Sequence, residues 1–378
     1  MSPMRIVVAP DKFSGSLTAA EAASAIAAGI VEAVAASEVV ERPVADGGDG
    51  TLDALAAAGW TQRPVDVTGP LGEPTRARIA WQGTTAVVEL ADCCGRLRLP
   101  RGRAAPTTAG TRGAGAAILA AAEDGAETVV VGLGGSASTD GGLGLLSALG
   151  VRVLDQDGAP VTAPLGLARA ARIDVSQLAD PLHGLPIVLA ADVRSPLLGP
   201  DGAARLFGPQ KGAAPGQVDA LETALTRWAH VLRQHCGEPV ADVPGAGAAG
   251  GTVAGVLGAL GGICDVEIRS GADVVIDAVG LADDLAEADA VVIGEGSLDA
   301  QSLLGKAPIV VARLAGELEC QVAAVIGRLD LDSTLLRRAG VEHAVELREL
   351  ARVGEDPMRD AARLARRAGA LLANRLGA

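Results

Sequence analysis

The feature that most restricts the fold of this chain is a rhythm. Short apolar runs stop at glycine- or aspartate-rich turns, and each is followed by a stretch with helical spacing. RIVVAP stops at DKFSGS, and LTAAEAASAIAAGIVEAV follows, with Ser16 or Thr18 standing where a helix cap belongs. VVERPVA then stops at DGGDGT, which leads into TLDALAAAG. Strand, helix, strand, helix in this order predicts a parallel sheet covered by helices. The composition agrees: 49% of residues are hydrophobic but only 1% aromatic, and there are 50 glycines, so cores must be built from Ala, Val, Leu and Ile against tight turns.

The rhythm breaks after Thr68 and returns near residue 285. RPVDVTGPLGEPTRARIAWQGTTAVVELAD holds three strand-like runs separated by turn signals, and helices and short strands such as ETVVVG, VRVLD and PIVLAAD follow. ADAVVIGEG, CQVAAVIG and an Arg-rich closing helix restore the first pattern. A chain of 378 residues also exceeds one ordinary core. The expectation is therefore an α/β protein of two domains: a Rossmann-like parallel-sheet domain built from both termini, 1–67 plus 285–378, with a mixed α/β domain inserted at 68–284.

Several function classes are excluded early. A net charge of −14, with no Lys/Arg cluster interleaved with aromatics, argues against nucleic acid. Five cysteines form neither a disulfide ladder nor a metal-ligand spacing, which fits a cytoplasmic location. Asp11 and Lys12 interrupt any signal peptide, and the uncharged run from Val243 to Cys264 is mostly Gly and Ala, so it reads as a glycine-rich loop entering a buried helix and not a membrane span. The four histidines avoid the glycine-rich turns, and no G-x-S-x-G elbow occurs.

The chemistry concentrates in glycine-rich turns at strand ends: PDKFSGS, VADGGDGT, GLGGSASTDGG and GEGSLDAQSLLGKAP, with GPQKGA and GAGAAGG besides. Open α/β sheets bind ligands outside the carboxyl ends of their strands. GEGSLDAQSLLGKAP fails as a P-loop, since Ala300 stands for the first glycine and Ala307 for the hydroxyl. Of 32 basic residues only Lys12, Lys211 and Lys306 are lysine, leaving 32 − 3 = 29 arginines, and each lysine lies beside such a turn. A compact ammonium suits a phosphate oxygen where a guanidinium fork does not fit. Asp46 and Asp49, flanked by glycines, match the sparse carboxylate ligation of magnesium, although turn chemistry explains them equally well. Asp140, Asp192 and Asp299 are similarly ambiguous, and Glu295 reads as a metal ligand or a lysine partner. GLGGSA after TVVV also matches a dinucleotide fingerprint, with Asp155 as ribose acid; against NAD, Asp140 would face the pyrophosphate unless magnesium intervened.

Taken together, VAPDKFSGSLTAAEAA, VADGGDGT, GLGGSASTDGG, LFGPQKGA, GAAGG and GEGSLDAQSLLGKAP, in this order, resemble the bacterial glycerate kinase family. The resemblance implies ATP-dependent, magnesium-assisted phosphorylation of D-glycerate and two α/β domains with the active site in a cleft between them. Ser195 and Ser302 depart from the family's common Asn and Thr. Lys12, Lys211 and Lys306 are then candidate clamps for phosphate or carboxylate, and Asp46, Asp192 and Asp299 complete the catalytic set. Asp46, Asp49 and Glu295 are the expected magnesium ligands. Gly134, Gly135, Ser136, Ser138, Gly250 and Gly251 are expected to cradle ATP, and Ser14, Arg112 and Arg328 to bind glycerate. The acceptor hydroxyl, 2 or 3, stays open, as does assembly as a homodimer. An NAD-linked oxidoreductase of a small hydroxy acid and a non-catalytic hydroxy-acid sensor are the alternatives.

Overall fold

The computed structural model describes residues 3–299 and 302–377. Thirteen strands are named among them. β1 (Arg5–Pro10) and β2 (Glu38–Glu41) come first, then β3 (Thr61–Thr68), β4 (Pro74–Gln82), β5 (Thr85–Glu89) and β6 (Thr128–Gly132). β7 (Arg152–Leu154), β8 (Arg172–Asp174), β9 (Pro186–Ala190) and β10 (Asp265–Arg269) follow, and β11 (Ala290–Leu298), β12 (Gln321–Leu329) and β13 (His343–Glu346) close the series.

Contacts divide the chain into two units. One comprises residues up to Asp46, Asp53–Gly59 and everything from Gly271 onward; the other comprises Gly47–Leu52 and Trp60–Ser270. The joins at 59/60 and 270/271 differ from the expected 67/68 and 284/285. The reason is long-range pairing: β3 is the antiparallel partner of β4, and the helix Gly271–Ala278 packs on the helix Ala307–Glu317.

The first unit holds a five-stranded sheet in the order β13-β12-β11-β1-β2, parallel throughout. This is the Rossmann-like sheet expected from the two ends of the sequence. The chain leaves β1 toward β2 and returns to β1's other edge with β11, so the sheet order reverses between β1 and β11. At such a switch point the strand-end loops diverge and leave a crevice. The helices Ala19–Ala33 and Ala361–Arg375 share one apolar cluster with Ile6, Val8, Val292 and Val325. Thr18, not Ser16, caps the first helix, accepting the Glu21 N–H at 3.2 Å, while the Glu21 carboxylate accepts the Thr18 N–H at 2.8 Å.

The second unit is mixed, as expected. Its six-stranded sheet runs β10-β9-β6-β5-β4-β3; β10 through β5 are parallel, and the β5-β4-β3 end is antiparallel. Helices Arg112–Glu123, Leu143–Ala148, Pro215–Cys236 and Ala248–Leu260 contribute Ile118, Leu145, Leu146, Trp228 and Val256 to its core. The uncharged run from Val243 enters the last of these buried helices, and no described helix is long and apolar enough to cross a membrane.

Candidate active site

A cavity of about 630 Å³ lies in the first unit at the carboxyl ends of β1, β11, β12 and β13. Asp11 and Lys12 follow β1 directly. Glu295 arrives on β11 itself: pairing with β12 continues to Leu298, so Gly294–Leu298 is strand, and the sequence reading of this stretch as a loop is corrected. The reason is register, since Ser297 and Leu298 face Arg328 and Leu329 of a long neighbouring strand. Lys306, the residue before the helix Ala307–Glu317, returns to the cavity and places Nζ 2.5 Å from Glu295 Oε1.

Two acids beneath this surface are strongly perturbed. Asp11 is buried, its N–H donates to Gly294 O at 2.8 Å, and its Oδ1 accepts the Lys12 N–H at 2.6 Å. Burial pushes the Asp11 carboxyl up to about 7 against the pull of Lys12, with Asp46 and Glu295 adding to the rise. Burial also raises Glu295, opposed by its hydrogen bond from Lys306. Glu295 Oε2 is buried with no hydrogen-bond partner among the described residues. Asp46, Ser14, Ser16, Ser297, Arg328 and Arg348 add to the polar lining, and Phe13, Leu347, Pro357 and Met358 supply an apolar wall.

The second unit gathers the glycine-rich turns around one another. Gly132 and Gly134 close on the DGGDGT turn: a Cβ on Gly134 would lie 2.4 Å from Gly48 Cα, and one on Gly132 would lie 2.6 Å from Gly47 O. Only glycine permits that approach. Glu89, buried at the end of β5, accepts N–H groups from Gly50 at 3.4 Å and Leu52 at 3.0 Å, which holds the turn that carries Asp49. Burial pushes the Glu89 carboxyl up to about 7. Ser136 and Ser138 bond to each other at 2.9 Å, and Lys211 Nζ donates to Ser138 O. Burial brings Lys211 down to about 8.

The Glycerate kinase family model matches residues 6–376. The chain belongs to the glycerate kinase family. It is 39% identical over 345 residues to "Glycerate kinase" of Haemophilus influenzae, covering 90% of each chain. It is 39% identical over 343 residues to "Glycerate 2-kinase" of Escherichia coli, covering 90% of this chain and 89% of that one. The crystal structure of a Salmonella typhimurium LT2 chain assigned as glycerate kinase 2 superposes with a TM-score of 0.84 at 36% identity, covering 99% and 98% of the two chains.

Within the chain the expected site residues fall into separate groups. Lys12, Ser14, Asp46, Glu295, Lys306 and Arg328 share the cavity of the first unit, where Arg328 is ion-paired to Asp330 at 2.7 Å. Asp299 lies beside it in sequence and accepts the Ser302 N–H at 3.0 Å, so the Ser302 hydroxyl keeps a local role. Gly134, Gly135, Ser136, Ser138, Lys211 and Asp49 belong to the glycine cluster of the second unit. Gly250 and Gly251, with φ of 69° and 90°, press against that cluster; a Cβ on Gly250 would lie 2.2 Å from Ser138 O. Asp192 lies at the end of β9 and accepts the Ser270 hydroxyl at 3.0 Å. Arg112 is exposed and donates to Ser147 Oγ at 3.0 Å.

Asp140 is buried and accepts from Thr111, Gly142 and Gly144, a structural role that removes it from the surface. Asp155 accepts the Asp157 and Ala159 amides in a turn, and among the described strands β7 pairs with β8, antiparallel, and not with a parallel neighbour; the strand-helix-strand unit of a dinucleotide fingerprint is not formed there. Among the described residues no three His, Cys, Asp or Glu side chains are gathered into a metal cage. Sequence reading missed Asp11, Glu89 and Arg348. No local pattern marks them: Asp11 stands where a turn residue is expected, Glu89 is the last residue of β5, and Arg348 carried no signal.

Proposed function

We propose that this chain transfers the γ-phosphoryl group of ATP to the 2-hydroxyl of D-glycerate. The observation that carries the reading is the cavity at the β1/β11 switch point, where lysines and buried carboxylates converge in a chain matched along its length by glycerate kinases. The "Glycerate 2-kinase" of Escherichia coli supports the 2-position. Phosphoryl transfer depends on alignment and charge neutralisation, and this cavity has groups for both.

The donor set suits magnesium: Asp46 and the unpartnered Glu295 Oε2 are hard oxygen donors, few enough to leave positions for water and phosphate oxygens. Magnesium held there supplies charge neutralisation at the phosphoryl oxygens. Lys12 and Lys306 hold anionic oxygens on the cavity wall, and Arg348 and Ser14 orient the glycerate carboxylate. Asp11, buried beside Lys12, accepts the proton of the attacking hydroxyl. In the second unit, the Gly134–Ser138 turn holds nucleotide phosphates.

The test is ADP release with magnesium-ATP over a panel of D-glycerate, other small hydroxy acids and sugars, followed by phosphorus NMR of the product. Turnover with D-glycerate and a 2-phosphoglycerate signal are expected. No turnover with D-glycerate sinks the proposal, and a 3-phosphoglycerate signal overturns the acceptor position.

A further inference from the structure

Beside the Gly134–Ser138 turn, two cations are held together without an acid between them. Arg96 follows the buried helix Leu90–Cys94, and its N–H donates to Gly135 O at 2.9 Å, while Gly95 forms a β-bridge with Ser136. Its backbone is therefore fastened to the glycine turn, and its side chain is exposed. Arg96 Nη1 donates to Gln210 O at 3.4 Å, next to Lys211, whose ammonium donates to Ser138 O in the same turn.

Neither cation has a carboxylate within ion-pair distance among the described residues. Asp140, the acid whose charge reaches Lys211, is already engaged by Thr111, Gly142 and Gly144. Two like charges held close in a partly dry environment repel, and a bound anion relieves that repulsion. Burial and then the charge of Arg96 both press Lys211 downward, which agrees with the geometry. An exposed guanidinium fork beside a half-buried ammonium and a glycine turn suits a polyphosphate, with the fork bridging two oxygens and the ammonium meeting one.

We propose that Arg96 binds the polyphosphate of the nucleotide, together with Lys211 and the Gly135–Ser138 turn. This rests on the proposed use of ATP. The anion could instead be the glycerate carboxylate, and the experiment separates the two.

ADP affinity by calorimetry and KM for ATP and D-glycerate are measured for the wild type, Arg96→Gln, Arg96→Lys and, as a charge control, Arg101→Gln on the exposed loop beyond. Arg96→Gln is expected to weaken ADP binding and raise KM for ATP by about tenfold to a hundredfold, the usual range for losing a charge-assisted contact. KM for D-glycerate is expected to stay unchanged, Arg96→Lys to recover part of the affinity, and Arg101→Gln to match the wild type. ADP binding by Arg96→Gln equal to the wild type overturns the inference, as does a rise confined to the KM for D-glycerate. If the wild type itself binds no ADP, the ATP-dependent kinase reading fails first and takes this inference with it.

Discussion

Lys306 Nζ and Glu295 Oε1 lie 2.5 Å apart on the cavity wall of a chain whose other cations are almost all arginine. An ammonium fits beside a mostly buried carboxylate and still offers donors to a second anion; a guanidinium is wider and planar and displaces whatever shares the space. Lys306→Arg is therefore expected to lower kcat by about a hundredfold or more, the scale of a misplaced catalytic group, while the thermal midpoint stays near the wild-type value. Near-normal turnover would show that charge alone suffices. Arg348 behaves differently. It borders the same cavity with no ion pair among the described residues, whereas Arg328 is engaged by Asp330. Arg348→Gln should raise KM for D-glycerate about tenfold with little change in kcat, as expected for losing a charge-assisted contact made equally in ground and transition states; an unaltered KM removes Arg348 from the site. Lysine scarcity made Lys12, Lys211 and Lys306 visible in the sequence. Asp11 was not visible as a site residue, because an aspartate before a lysine at a strand end looks like any solvated turn. Its surroundings are set from far along the chain, by the Gly294 carbonyl that takes its N–H and by the charge of Glu295.

The elements that were legible are those with local causes. The strand ends of β1, β6 and β9, the capped helix after Thr18, and the three runs that became β3, β4 and β5 follow from apolar periodicity and turn residues. The extension of β11 through Leu298 was not legible, because its partner β12 lies beyond the Lys306 helix, and glycine and glutamate are poor strand formers. The tie between β5 and the DGGDGT turn was hidden for the same reason: Glu89 reaches amides 37 and 39 positions away. That tie has a pH signature. Glu89 keeps its proton up to about pH 7 in the folded protein, but only up to its ordinary 4.5 in the unfolded chain. Between those values the folded state binds more protons, so stability falls as pH rises from 4.5 toward 7, by roughly 3 kcal/mol from this group. Glu89→Gln removes the titration. Urea unfolding at pH 5 and pH 7 should therefore show a smaller loss of stability in the variant than in the wild type, and equal losses in both would refute the assignment.

At the scale of the whole molecule, the carboxylates are numerous but dispersed. The chain carries 46 Asp and Glu residues, yet among the described residues no three metal-ligating side chains are grouped. Magnesium is reluctant to give up its waters and normally relies on one or two carboxylates plus the phosphates of its substrate. If the proposed site holds magnesium through so few carboxylates, the ion is expected to bind weakly before the nucleotide arrives, and linkage then requires that nucleotide and metal each strengthen the binding of the other. Magnesium titrated into the protein alone is accordingly expected to give no saturable heat below the millimolar range, and in the presence of ADP to bind at least about tenfold more tightly than to the protein alone. Turnover should stop on addition of EDTA and return with excess magnesium. Tight, micromolar magnesium binding without nucleotide would mean that the protein supplies a complete metal site, and Asp46 and Glu295 would then have to be joined by ligands that this arrangement does not provide.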